Sequence, residues 1–179
     1  MRICGVDKNM TEQELKKLQI YIGKRNQNQT DEQVIKHINK INDMTPLTQE
    51  EWHKLIFPSC NNGYVEILRF VLSHIQCVNN IQEYMVHTVY GRNENINEER
   101  IEVLKELMQY LTENKEECLN ETMINAGWFG ETEIVKFLIA NGANKEYKNQ
   151  RGLGLSECSE RAEKQFKDNS LKVFLKNNQ

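Results

Sequence analysis

The segment AGWFGETEIVKFLIANGAN, from Ala126 to Asn144, constrains the fold more than any other part of the chain. Ala126 and Gly127 are small enough to let one helix lie close to a neighbour, and Gly130 permits a left-handed turn that ends this helix and starts the next. Ile134, Val135, Leu138 and Ile139 then recur at helical spacing and form an apolar stripe that needs a cover. Asn141-Gly142 is a stop signal. One such unit cannot bury its own stripe, so the segment predicts neighbours of the same kind.

The pattern recurs. SCNNGYVEILRFVL, from Ser59 to Leu72, has the same small pair, glycine and apolar helix. Ile101 to Met108 repeats the helix core, so that Glu66, Glu102 and Glu133 stand 36 and 31 residues apart. Asn149-Gln150-Arg151-Gly152 opens a further unit, and Ser170 to Leu175 is its second helix. In the middle unit the polar run from Gly91 to Asn97 replaces the compact turn. Pro58 falls where a helix interior is expected and predicts a kinked or shortened helix. Thr45-Pro46-Leu47 reads as a helix start.

The segment from Ala126 resembles the second half of an ankyrin repeat, whose pattern is A-A-x-x-G-H-x-E-I-V-K-L-L-L-x-x-G-A-D. Ser59 to Leu72 overlays the same frame, Val78-Asn79 falls where the family often has V-N, and Asn149 to Gly152 looks like its D-x-x-G. No full T-P-L-H stands at the right place, so the resemblance rests on the second-helix motifs. It implies an all-α ankyrin-repeat solenoid of stacked helix-turn-helix units of about 33 residues, with about four units in residues 45–179 and the last a cap. In that family partners dock on the turn tips and the concave face, including the two variable residues before the turn glycine. Here those positions are Trp128 and Phe129, and Asn61 and Asn62. Lys148, Gln150, Arg151 and Leu153 take the tip positions of the last turn, and Tyr64 and Glu131 stand in place of the usual turn histidine, as rim contacts or as helix starts. Two adjacent large aromatics make Trp128 and Phe129 the leading hot-spot candidates, with packing against a neighbouring unit as the competing role.

Residues 1–44 form a separable helical hairpin. Leu15, Leu18 and Ile22 give one stripe, Val34, Ile38 and Ile41 another, and the polar run from Gly23 to Thr30 links them. The hairpin is expected to cap the apolar end of the stack, the alternative being a separate docking element. Helix starts are marked by capping-box pairs at Thr11 and Glu14, Thr30 and Gln33, and Thr48 and Glu51.

Other chemistries leave little trace. The four histidines, His37, His53, His74 and His87, form no metal-binding spacing, so no metal or other cofactor is expected. Gly152-Leu153-Gly154 is followed by no G-K-[ST] and reads as a turn, not a phosphate loop. A Cys-His pair such as Cys60 with His53 could meet across adjacent turns at seven-residue spacing, but no third group orients it and Pro58 lies between them. The five cysteines, Cys4, Cys60, Cys77, Cys118 and Cys158, make no C-x-x-C pair, and reduced thiols are expected. The sequons at Asn9, Asn28 and Asn120 then carry no consequence.

No run approaches the roughly 18 apolar residues of a membrane helix, and residues 1–7 lack the apolar core of a signal peptide. Basic residues are interleaved with acids, which argues against nucleic acid. Charge is nonetheless uneven: residues 51–139 carry 14 Asp/Glu against 7 Lys/Arg, and residues 140–179 carry 8 Lys/Arg against 5 Asp/Glu. Such a distribution can steer a charged protein partner. The reading is therefore a non-enzymatic, cytoplasmic module, monomeric, that docks another protein as an inhibitor, antagonist or adaptor. In style it resembles a viral or intracellular-pathogen factor working in a host cytosol. Two alternatives remain: a homo-oligomeric structural subunit, and a small enzyme or ligand sensor built on the loop at 91–97 beside His87 or Cys118.

Overall fold

The computed structural model describes residues 10–24, 29–90 and 96–178. Among these every regular element is helical, so the chain is all-α. The first helices are α1 (Glu12–Gly23), α2 (Asp31–Met44), α3 (Gln49–Lys54), α4 (Ile56–Asn61) and α5 (Val65–Leu72). There follow α6 (Ile81–Thr88), α7 (Asn97–Met108), α8 (Lys115–Trp128), α9 (Thr132–Ala140), α10 (Leu155–Phe166) and α11 (Ser170–Asn177).

Three of these helices start where short-range chemistry places them. The Thr11, Thr30 and Thr48 hydroxyls each accept a bond from the amide three residues on, and the Glu14, Gln33 and Glu51 side chains each accept one from the threonine N–H, a reciprocal cap that satisfies two otherwise orphaned donors. Thr45 closes α2 instead of opening a helix, a correction to the reading of Thr45-Pro46-Leu47. The expected break near Pro58 falls at Leu55, which separates α3 from α4. Proline has no N–H to give the Lys54 carbonyl four residues back, and the Gln19 carboxamide of α1 fills that acceptor at 2.8 Å.

The helices lie in two rows. One contains α1, α4, α6, α8 and α10 in consecutive contact; the other contains α2, α5, α7, α9 and α11. The rows meet through α4 with α5, α6 with α7, α8 with α9, and α10 with α11. Between them runs one continuous core, from Leu15, Ile22 and Ile38 through Ile56, Ile67, Leu68, Met85 and Leu104 to Met123, Ile134, Leu138 and Leu155. The hairpin of α1 and α2 belongs to this stack, because α1 packs on α4 and α2 on α5.

The turns from α4 to α5 and from α8 to α9 share one geometry. Gly63 has φ 72° and Gly130 φ 76°, left-handed values that a Cβ would strain. Tyr64 N–H donates to Ser59 O and Glu131 N–H to Ala126 O, both at 3.0 Å. At Gly127 an added Cβ would lie 3.1 Å from Leu155 Cδ2 and 3.2 Å from Cys158 Cβ, so glycine permits the close approach of α10 to α8. On the outer row the acid of each repeated motif pairs with the base three residues on: Glu66 with Arg69, Glu102 with Lys105, and Glu133 with Lys136, at 2.6, 2.6 and 2.7 Å.

Candidate protein-binding surface

Within the first row α6 is flanked by α4 and α8 and covered by α7; α8 is flanked by α6 and α10 and covered by α9. The solvent-accessible side chains of α6 and α8 therefore lie on the remaining open face. Aromatic rings run across it. Phe57 of α4 meets His87 of α6 edge-on with ring centroids 4.6 Å apart. His87 leads to Tyr90 at 6.0 Å, and Tyr90 meets Phe129 at the end of α8 at 5.1 Å. Tyr90 is 59% exposed, and Phe57, His87 and Phe129 are half-buried.

Trp128, next to Phe129, turns to the following unit. The Arg161 guanidinium of α10 sits 4.1 Å from its ring centroid and also donates to the Trp128 carbonyl. The same guanidinium lies 5.4 Å from the Phe166 ring centroid. A shallow depression of about 410 Å³ is lined there by Trp128, Glu157, Glu160, Arg161, Lys164 and Gln165. The two adjacent aromatics thus join consecutive helices of the row, Phe129 backward to α6 and Trp128 forward to α10, while both keep exposed surface.

The other candidates divide. Lys148, Gln150 and Arg151 are exposed on the loop before α10, where Lys148 pairs with Glu157 at 3.2 Å. Half-buried Leu153 closes the same turn by accepting from Asn149 N–H, and the Asn149 side chain accepts from Arg151 and Leu153 N–H. Asn61 is exposed, whereas Asn62 ends α4 by donating to the Pro58 carbonyl, and Tyr64 packs partly on the core. Glu131 requires a correction. It starts α9, is only 1% exposed and forms a buried pair with Arg100 at 3.4 Å, so it is a helix start held in a structural ion pair and not a rim contact. Arg100 also donates to the Tyr90 carbonyl at 3.3 Å, which ties this pair to the end of α6.

Phe57 and Tyr90 extend the surface beyond the residues singled out from sequence. A signal for Tyr90 existed: it immediately precedes Gly91 as Phe129 precedes Gly130.

Burial pushes the Cys60 thiol up to about 12 and the Cys118 and Cys158 thiols up to about 11, away from thiolate chemistry. His53 Nδ1 lies 3.1 Å from the Tyr84 hydroxyl, while Cys60 is fully buried. Gly154 N–H donates to the Glu157 carboxylate at 2.9 Å, so an acid occupies the donor a phosphate would need. Among the described residues no three metal-ligating side chains converge. Among the described residues no helix is long and apolar enough to cross a membrane. Cys4 and the sequons at Asn9 and Asn28 lie outside the described residues, as do positions 91–95 of the loop proposed for a sensor. No protein-family model, curated protein or solved structure matches the chain.

Proposed function

We propose that this chain is an ankyrin-type repeat protein that binds a partner protein on its open face and acts in the cytoplasm as a non-enzymatic inhibitor, antagonist or adaptor. The two-row stack, the matched turns at Gly63 and Gly130 and the repeated Glu-Arg/Lys pairs of the outer row support the repeat reading. The observation that carries the binding reading is the placement of Trp128 and Phe129 in the middle of an uncovered helix row, held by Arg161 and Tyr90. Rings fixed by neighbours lose little side-chain entropy on association, and large aromatics held in this way dominate interface energies. Packing and binding are compatible roles for both, because each retains exposed surface. The raised thiol pKa values support a role without nucleophilic catalysis.

Affinity capture from native cytosol tests the proposal. The wild-type chain is compared with a Trp128→Ala/Phe129→Ala variant whose folding is checked by circular dichroism. A protein retained by the first and lost by the second supports the reading; equal retention by both contradicts the placement of the surface.

A further inference from the structure

Charge on the two rows is organised differently. The outer-row acids Glu66, Glu102 and Glu133 each have a base three residues on. At the C-terminal end of the open row Glu157 pairs with Lys148 beside α10, and on α3, which precedes α4, Glu50 pairs with Lys54. The centre of that row is not balanced in this way. Glu83 of α6 and Glu116 and Glu117 of α8 are exposed and form no ion pair among the described residues. Half-buried Glu121, one turn along α8, accepts a 2.6 Å bond from the Tyr147 hydroxyl. That carboxylate is also the main reason the Tyr147 phenol is pushed up to about 12. Lys115 is the only lysine or arginine on α6 or α8, and His87 their only histidine.

Glu83 shares α6 with His87 of the aromatic row, and Glu116 and Glu117 share α8, whose far end carries Phe129. Glu83 stands near the start of α6 and Tyr90 just past its end, a separation of about 10 Å at the helical rise, which three residues of extended chain span. Carboxylates at one end and exposed ring faces at the other are the two groups that hold lysine and arginine side chains, by charge and by cation–π contact. The protein already uses the second device internally, with Arg161 over Trp128.

We propose that the open face between α6 and α8 takes a basic, lysine- and arginine-containing extended segment of the partner, with Glu83, Glu116 and Glu117 meeting its cations and Tyr90 and Phe129 its flanking side chains. This rests on the partner-binding reading and names the partner's chemistry.

The test is a fluorescence-anisotropy titration of the full chain with a labelled eight-residue peptide of alternating lysine, arginine and serine, and with its glutamate counterpart. Binding of the basic peptide, falling as salt rises from about 25 to 300 mM, is expected, with none by the acidic one. Glu83→Gln/Glu117→Gln weakens it about fivefold or more, since two surface charges contribute together about 1 kcal/mol. Glu66→Gln/Glu102→Gln, which removes the same net charge from the outer row, leaves the affinity within about twofold. Tyr90→Ala weakens it independently of salt. Equal weakening by the two double variants, or equal binding of both peptides, overturns the proposal. So does self-association through this face, seen as a sedimentation mass that falls to that of one chain in Glu83→Gln/Glu117→Gln. If the proposal fails while Trp128→Ala/Phe129→Ala still loses a captured partner, the binding reading stands and only the partner's chemistry is wrong.

Discussion

The Gln19 carboxamide donates to the Lys54 carbonyl at 2.8 Å and so fills the acceptor that Pro58 leaves without its helical N–H. This one bond links the N-terminal hairpin to the break between α3 and α4. Gln19→Ala should therefore cost about 1 kcal/mol, the usual net worth of a hydrogen bond. In a Pro58→Ala background, where an amide can serve Lys54, the same change should cost less. Urea unfolding of the four proteins measures this coupling; equal costs in both backgrounds would contradict it.

The two glycine substitutions most alike in backbone should differ in effect. Gly152 has φ 73° with open space around it, so Gly152→Ala should cost only the left-handed strain of about 1–2 kcal/mol. Gly63 has φ 72°, and a Cβ there would lie 2.7 Å from Glu99 Cβ. Gly63→Ala should be clearly the more destabilising, as read from the thermal midpoints of the two variants.

Arg100 and Glu131 form a pair with side chains 4% and 0% exposed. Glu131→Ala leaves the guanidinium in a low-dielectric site and should cost about 3–5 kcal/mol. Arg100→Met combined with Glu131→Leu, which removes both charges, should restore much of that loss. Chemical denaturation of the single and double variants decides; a double variant as unstable as the sum of its parts would contradict a pairwise role.

Alkaline pH should expose the buried thiols. Their folded pKa values, about 12 for Cys60 and about 11 for Cys118 and Cys158, lie above the ordinary 9.0, so the contribution of these groups is fully present below pH 9. Between pH 9 and those values the unfolded chain loses its protons first, and stability falls as pH rises. The urea midpoint should drop between about pH 8.5 and 10.5, and drop less in Cys60→Ala.

Local chemistry made much of this fold readable. The threonine caps at 11, 30 and 48 act within one turn, and Gly63 and Gly130 declare their turns through a backbone requirement that few residues meet. The buried stripes follow for the same reason, since helical spacing is a short-range property. The burial of Glu131 was not readable, because its partner Arg100 stands 31 residues earlier on another helix. Nor was the bond from Gln19 to Lys54, which spans 35 residues. The aromatic row was half legible: Trp128 and Phe129 stood out as neighbours, whereas Phe57, His87 and Tyr90 join them only through the stacking of three helices.

The account's central claim is that the open face of the α4, α6, α8 and α10 row holds a partner protein. Hydrogen exchange of the complex with the partner captured from cytosol tests it most directly. Slowed exchange in peptides covering residues 81–90 and 115–130, with α7 and α9 unchanged, is the predicted result. Slowed exchange confined to α7, α9 and α11 would place the partner on the outer row and contradict the claim.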